Sequence, residues 1–274
     1  MGKSYYGVLG SPINHSKSPE IHSRFASELN ISLQYDRIEV GKNELATFLT
    51  EKSSKKYSGF NVTVPLKEEA YQCCKNPSIR ALSAKAANTL IRQENHWLAD
   101  NTDGVGLVRD FNKNLKVSIE KKNVLIIGAG GAARGVIKPL LDEKPATVTI
   151  MNRTLQNARK LADDNDKRVR IIPWGDELVA SVDLVINSTS LSLHNKLPPL
   201  DHISLRPELI CYDMVYSNKD TIFIEWARRK KAKVIADGLG MLVEQAAESF
   251  KIWHKVMPRT DIVLSALRKN LTLF

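Results

Sequence analysis

The sequence has little cysteine, no long apolar run and no excess of acidic residues. Three cysteines in 274 residues are too few for a disulfide scaffold. Cys73 and Cys74 are adjacent, and Cys211 lies in an apolar segment that reads as a strand. That usage points to a reducing compartment, and the cytoplasm is the expected location. No apolar stretch approaches the ~20 residues of a membrane span. The opening M-G-K-S-Y-Y lacks an apolar stretch of signal-peptide length, and its sixth residue is Tyr where a myristoylation motif has Ser or Thr. No membrane partner is expected. No His or Cys spacing suggests a metal site, so no metal is expected.

What is present is ordinary for a globular chain. Hydrophobic residues make up 43% and charged residues 26%, enough for a real core at a length that suggests two domains. The formal charge is +10. Such a balance suits either nucleic acid or a field that draws in small anions. The basic residues are spread out. Their densest run, Arg228 to Lys233, falls where a helix ends before a strand, and cations there favour the helix C-terminus. No nucleic-acid motif accompanies them. A small-molecule ligand is therefore the expected partner.

The segment K-N-V-L-I-I-G-A-G-G-A-A-R-G at 122–135 organises the rest. Asn123 to Ile127 reads as a strand buried on both faces, and Ala132 to Leu141 has helix-forming composition. Between them, Gly128 can make a tight turn and Gly130 lets the backbone approach a pyrophosphate. Ala133 takes the third glycine position, as this motif permits. The helix beginning near Gly131 offers free N–H groups and a positive dipole end to phosphates. The bland alternative is a tight turn with no ligand. After Thr147 to Met151, the next strand, a NAD enzyme would carry a carboxylate for the ribose; this chain reads Asn152-Arg153-Thr154. An arginine and a hydroxyl fit the 2′-phosphate of NADP, although Arg153 could also be a surface residue. Further strands at Val169 to Ile172, Val182 to Ile186, Leu209 to Asp213 and Lys233 to Ala236 alternate with helical segments. The pattern predicts an α/β, Rossmann-type doubly wound parallel sheet with ligands at the carboxyl ends of its strands.

The first hundred residues carry polar motifs of another kind. Tyr5 to Leu9 reads as a strand. Ser18 followed by Pro19 reads as an N-cap and first helical residue, with Ile21, Phe25 and Leu29 as the buried stripe. Ser16 lies in the loop before it and suits a polyhydroxy or anionic ligand no better than it suits a plain loop. In F-N-V-T-V-P-L-K-E-E at 60–69, alternation sets Val62 and Val64 on one face and Asn61 and Thr63 on the other. Pro65 ends the strand. Lys67 then opens a helix, where a cation opposes the dipole; that broken rule marks either a functional lysine or a solvated one. Asn88 to Arg92 and His96 to Asn101 read as a hairpin turning at Gln93-Glu94-Asn95. It should bring Asn88 close to Asp103, which is otherwise a helix cap for Gly104 to Asn114. After Ala236-Asp237-Gly238, a helix with the stripe Leu242, Ala246, Phe250 and Trp253 runs to about Lys255. Gln245 lies beside that stripe and reads as a surface amide. A last helix runs from about Asp261 to Asn270. Domain boundaries fall near Gly104 and Gly238. This gives a first domain of 1–103 plus 238–274, with the C-terminal helices returning to it, and a nucleotide domain of 104–237.

Several separate stretches resemble the shikimate dehydrogenase family, in order and over nearly the whole chain. They are S-P-I-N-H-S-K-S-P at 11–19, N-V-T-V-P-L-K at 61–67, A-N-T-L at 87–90, D-N-T-D-G at 100–104, G-A-G-G-A-A-R at 128–134, N-R-T at 152–154, C-Y-D-M-V-Y at 211–216 and A-D-G-L-G-M-L-V-E-Q at 236–245. The resemblance implies reversible NADPH-dependent reduction of 3-dehydroshikimate to shikimate, in aromatic amino acid biosynthesis. It implies Lys67 and Asp103 as the catalytic pair. It implies a substrate site lined by Ser16, Ser18, Asn61, Thr63, Asn88, Tyr216 and Gln245. The NADP site would comprise Gly128, Ala129, Gly130, Gly131, Ala132, Asn152, Arg153 and Thr154, with Met214 and Gly238 near the nicotinamide. A monomer or homodimer fits equally. Three positions depart from the family pattern. Lys85 and Ser192 stand where glycine is usual or frequent, and Asn157 stands where some members have a second arginine. The alternatives are a paralogue that accepts quinate and NAD, or a non-catalytic NADP-binding regulator, for which Lys67 and Asp103 would be superfluous.

Overall fold

The computed structural model describes residues 3–94, 96–163 and 168–272. The chain divides into two compact units, Met1–Gly106 with Leu242–Ser265, and Leu107–Met241 with Ala266–Phe274. The sequence assigns all of 238–274 to the first domain, whereas the structure groups 238–241 and 266–274 with the second unit. An ion pair accounts for part of this: Arg268 donates to both oxygens of Asp237, each at 2.6 Å.

The first unit contains β1 (Ser4–Gly10), α1 (Ser18–Glu28), β2 (Leu33–Glu39), α2 (Leu45–Thr50), β3 (Tyr57–Val62), α3 (Lys67–Cys73), α4 (Ile79–Ala84), β4 (Thr89–Gln93) and β5 (His96–Asp100). The sheet order is β2-β1-β3-β4-β5. β1 pairs in parallel with β2 and β3, while β4 pairs antiparallel with β3 and β5. Leu9, Phe60, Leu66 and Leu90 form the centre of one core. In the β4–β5 hairpin Gln93 faces His96, and Glu94 adopts a positive φ of 27°. Asn95, the third residue of the expected turn, lies outside the described residues.

Two local expectations are corrected. The N-cap of α1 is Lys17 rather than Ser18, and Lys17 makes no side-chain cap bond. Ser16 Oγ reaches forward to accept from the Ser18 N–H at 3.3 Å, so the loop serine does the capping. The alternation of 61–64 also fails at its last residue. β3 stops at Val62, the chain turns, and Val64 is 65% exposed.

Lys85 ends α4 in the left-handed region, at φ 48° and ψ 33°. Helix C-termini usually reserve that conformation for glycine, because a Cβ there crowds the following carbonyl. The loop therefore keeps a glycine-like shape with a lysine in it. Lys85→Gly is expected to raise the unfolding free energy by about 0.5–1 kcal/mol, the relief of that crowding less the chain entropy of glycine. Urea unfolding of the two proteins measures this, and an unchanged or lower value would contradict it.

The second unit begins within α5 (Asp103–Arg109), which runs on into a π-helical turn over Asp110–Leu115. It continues with β6 (Asn123–Ile127), α6 (Gly131–Asp142), β7 (Thr147–Asn152), α7 (Leu155–Asp163), β8 (Val169–Pro173), β9 (Leu178–Asn187), β10 (Ile203–Asp213), α8 (Ile222–Arg229) and β11 (Val234–Asp237). All pairs are parallel, in the order β11-β10-β9-β6-β7-β8. This is the doubly wound sheet expected. β6 is its central strand: Val124 and Ile126 enter one core, Leu125 and Ile127 another, as the period of two requires. The strand order reverses between β6 and β9, which is where such sheets bind ligands. Helices α9 (Leu239–His254) and α10 (Thr260–Thr272) close the chain. Among the described residues, no helix is long and apolar enough to cross a membrane.

Candidate active site

In the first unit, Lys67 is the first residue of α3, and its Nζ donates to Asp103 Oδ2 at 2.6 Å. The side chains are 16% and 5% exposed. Two neighbours free this pair from structural duty. Asn101, not the Asp103 side chain, serves the start of α5, its Oδ1 accepting from the Asp103 N–H at 3.1 Å. Glu69, two residues along α3, is occupied elsewhere, accepting from the N–H groups of Asn43 and Leu45 at 2.9 and 3.0 Å. The second oxygen of Asp103 accepts from Asn88 Nδ2 at 2.9 Å. The hairpin thus brings Asn88 to Asp103 as its register predicted. Gln245 joins them from α9: its Oε1 lies 3.0 Å from Asn88 Nδ2, and its Nε2 donates to the Leu242 carbonyl at 2.8 Å. It is buried rather than a surface amide.

Beneath this group lies a polar network that the sequence did not disclose. Asn61 Oδ1 accepts from Tyr35 Oη at 2.7 Å and from His22 Nε2 at 3.1 Å. Its Nδ2 faces the Asn88 carbonyl, Thr89 Oγ1 and Ser249 Oγ at 3.2, 3.3 and 3.0 Å. The amide is fully used within the unit, and it holds Asn88 from below. Thr102 closes the circuit, its N–H donating to Asn88 Oδ1 at 2.8 Å. Burial pushes the His22 imidazole down to about 3, against the bond to Asn61 and with a smaller contribution from His254. The ring is therefore neutral and carries its proton on Nε2, stacked at 4.4 Å on Tyr35. The one signal for this network was the repeated Asn-Thr pair, Asn88-Thr89 and Asn101-Thr102, at the matching ends of the hairpin. Ser18 is buried and Ser16 half-buried beside Arg37, which donates to the Ser16 carbonyl at 2.7 and 3.0 Å. The Thr63 methyl packs where a Cβ on Gly10 would stand.

In the second unit, Gly128 takes a φ of 107°, which L side chains avoid, and a Cβ there would lie 2.7 Å from Ser188 Oγ. Gly130 is the N-cap of α6. It makes no side-chain cap bond, and a Cβ added to it would meet nothing within 4 Å. Open space thus lies before an uncapped 12-residue helix whose first amides come from Gly131, Ala132 and Ala133. This arrangement fits a dinucleotide pyrophosphate. At the end of β7, Asn152 Nδ2 donates to the Thr154 carbonyl at 2.8 Å, turning the chain so that Arg153 and Thr154 are exposed. Met214 and Gly238 meet at the ends of β10 and β11, where a Cβ on Gly238 would collide with the Met214 carbonyl. Tyr216 follows, half-buried.

A doubly wound unit with an open glycine turn, and an α/β unit holding a shielded lysine–carboxylate pair, define a two-unit, dinucleotide-dependent oxidoreductase. Comparison with known proteins narrows the class. Residues 8–90 match the shikimate dehydrogenase substrate binding domain, 110–195 match shikimate / quinate 5-dehydrogenase, and 238–268 match the shikimate 5′-dehydrogenase C-terminal domain. A shikimate dehydrogenase (NADP(+)) of Alkalilimnicola ehrlichii is 44% identical over 96% of this chain and 98% of its own. Among solved structures, an Ael1 enzyme from Pseudomonas putida is 37% identical, with a TM-score of 0.87 over 97% of this chain and 98% of its own. A shikimate dehydrogenase in complex with NADP+ is 27% identical, with a TM-score of 0.86 over 98% and 96%. The chain belongs to the shikimate dehydrogenase family.

Proposed function

We propose that the protein catalyses the reversible NADPH-dependent reduction of 3-dehydroshikimate to shikimate, with Lys67 and Asp103 as the catalytic pair. The observation that carries this reading is the 2.6 Å bond from Lys67 Nζ to a carboxylate whose other oxygen is fixed by Asn88. Bound NADP supplies the hydride chemistry; the chain's own groups position the substrate and manage one proton. In the reducing direction, the oxygen that develops negative charge takes a proton from the Lys67 ammonium. Asp103 holds that ammonium in place and accepts from a substrate hydroxyl. In the oxidising direction, the pair takes the proton back. The amides of Asn88 and Gln245 and the hydroxyls of Ser16, Ser18 and Thr63 line the substrate site, with Asn61 bracing it. The first unit therefore serves the substrate.

The second unit serves the cofactor. Gly128 to Ala132 receive the pyrophosphate, and Asn152, Arg153 and Thr154 receive the 2′-phosphate-bearing ribose. Met214 and Gly238 border the nicotinamide. The sparse, unpaired cysteines support a cytoplasmic location, and burial pushes the thiols of Cys74 and Cys211 up to about 12. The test is a two-by-two assay of shikimate or quinate, each with NADP or NAD, following reduced nicotinamide by absorbance. Turnover is expected chiefly with shikimate and NADP. Comparable quinate turnover or a preference for NAD would make the protein a quinate-accepting paralogue, and absence of turnover in all four arms would remove the catalytic reading.

A further inference from the structure

Asp213 ends β10, is completely buried, and belongs to none of the groups assigned above. Its Oδ2 accepts from Thr221 Oγ1 at 2.6 Å and from Ser192 Oγ at 2.7 Å. Its Oδ1 accepts from Asn187 Nδ2 at 3.1 Å and from the Val215 N–H at 3.2 Å. Each donor sits on a different part of the chain. Asn187 ends β9, Ser192 lies in the turn that follows, and Val215 leaves β10. Thr221 is the N-cap of α8, its Oγ1 accepting from the Ile224 N–H at 3.2 Å. A buried carboxylate is costly without such partners. Four donors offset that cost and tie two connections, β9 to β10 and β10 to α8, to one side chain.

Both connections border the surfaces assigned to the cofactor. The turn after β9 is folded by Asn187, whose Oδ1 accepts from Thr189 N–H and Oγ1 at 3.1 and 2.7 Å. Ser188 donates from its N–H and its hydroxyl to the Ile127 carbonyl at 2.9 and 2.6 Å. A Cβ on Gly128 would come within 2.7 Å of Ser188 Oγ and 3.1 Å of Thr189 Cγ2. This turn is therefore the wall against which the glycine turn is packed. On the other side, the Met214 N–H donates to the Asn187 carbonyl at 2.9 Å, and the Gly238 N–H donates to the Val215 carbonyl at 3.2 Å.

We propose that Asp213 and Ser192 are positioning residues for the cofactor: the Ser192 hydroxyl, held by the Asp213 carboxylate, fixes the 187–192 turn against the glycine turn in the shape that receives NADP. The inference rests on the reading that the glycine turn binds NADP. The experiment is calorimetric titration of NADP into the wild type, Ser192→Ala and Ser192→Thr at 25 °C. Ligand-free melting and the KM for shikimate at saturating NADP are measured alongside. Ser192→Ala is expected to weaken NADP binding about tenfold, the size of one lost hydrogen bond to a charged group. Ser192→Thr, which keeps the hydroxyl, should restore most of the affinity, and the KM for shikimate should stay put. A lower melting temperature with unchanged NADP affinity would make Ser192 a stability residue and overturn the proposal. A wild-type chain that binds no NADP would overturn both the cofactor reading and this inference. Equal NADP binding by the wild type and Ser192→Ala would leave the cofactor reading standing and remove only this inference.

Discussion

Replacing Lys67 with alanine is expected to lower shikimate turnover about 10²–10⁴-fold, the usual cost of losing a positioned acid or base. NADP affinity should remain nearly unchanged. The two halves of this prediction come from different parts of the chain. Lys67 belongs to the first unit, where its ammonium is shielded and bonded to Asp103. The glycine turn, Arg153 and Gly238 all belong to the second. Asp103 keeps its bond from Asn88 in the variant, so the remaining polar group stays assembled. Steady-state kinetics and a separate NADP titration check the two halves. Unchanged turnover would remove Lys67 from the mechanism, and a large loss of NADP affinity would show that the lysine acts through the cofactor.

The second large effect is on stability. Arg80 donates to Asp100 from Nε at 3.0 Å and from Nη2 at 2.6 Å, and to Glu248 from Nη1 at 3.0 Å. Asp100 precedes the Asn101-Thr102-Asp103 segment, and Glu248 lies on α9 one turn from Gln245. One guanidinium thus joins the end of β5, which leads into Asp103, to the helix that carries Gln245. The carboxylates are nearly buried and the arginine is about one-third exposed. Arg80→Ala should therefore cost about 2–3 kcal/mol, below the full penalty for opening a buried pair.

The effect should also depend on pH. Burial alone would raise the Asp100 carboxyl, but hydrogen bonds from Arg80 and Ser78 and the charge of Arg80 hold it below its ordinary 3.8. A carboxyl depressed in the folded state stabilises above its unfolded pKa, and that contribution fades as pH falls through the folded value. The gap between wild type and Arg80→Ala should be full at pH 7 and shrink below about pH 4. Urea unfolding at several pH values measures it. A gap that stays constant to pH 3 would contradict the ion-pair account.

The parts of the fold that were legible in the sequence are those where local chemistry and global packing agree. β6 and its glycine turn could be read because a strand buried on both faces must be apolar throughout, and because Gly128 must take a conformation that other residues avoid. The hairpin fixed its own register, and with it the approach of Asn88 to Asp103. β2 was missed because Leu-Gln-Tyr-Asp-Arg-Ile-Glu is an edge strand with few apolar residues. β10 starts at Ile203, six residues before the apolar run, and accommodates Pro207 within the register shift between Leu205 and Ile210.

Side-chain roles were legible only where a rule was broken. Lys67 stood out because a cation opens a helix. Gln245 did not, because α9 buries polar residues such as Glu244, Glu248 and Ser249 as well as its apolar stripe. His22 with Asn61, Arg80 with Glu248, and Ser192 with Asp213 were out of reach. Their partners are 21 to 168 residues apart, and no local pattern records a hydrogen bond made across a fold.

The most direct test of the account uses shikimate carrying deuterium at C3. The protein is incubated with this substrate and NADP, and the reduced nicotinamide is analysed by mass spectrometry. The account predicts that the reduced cofactor carries the deuterium, because the hydride passes straight from that carbon. Reduced nicotinamide without deuterium, or no reduction at all, would contradict it.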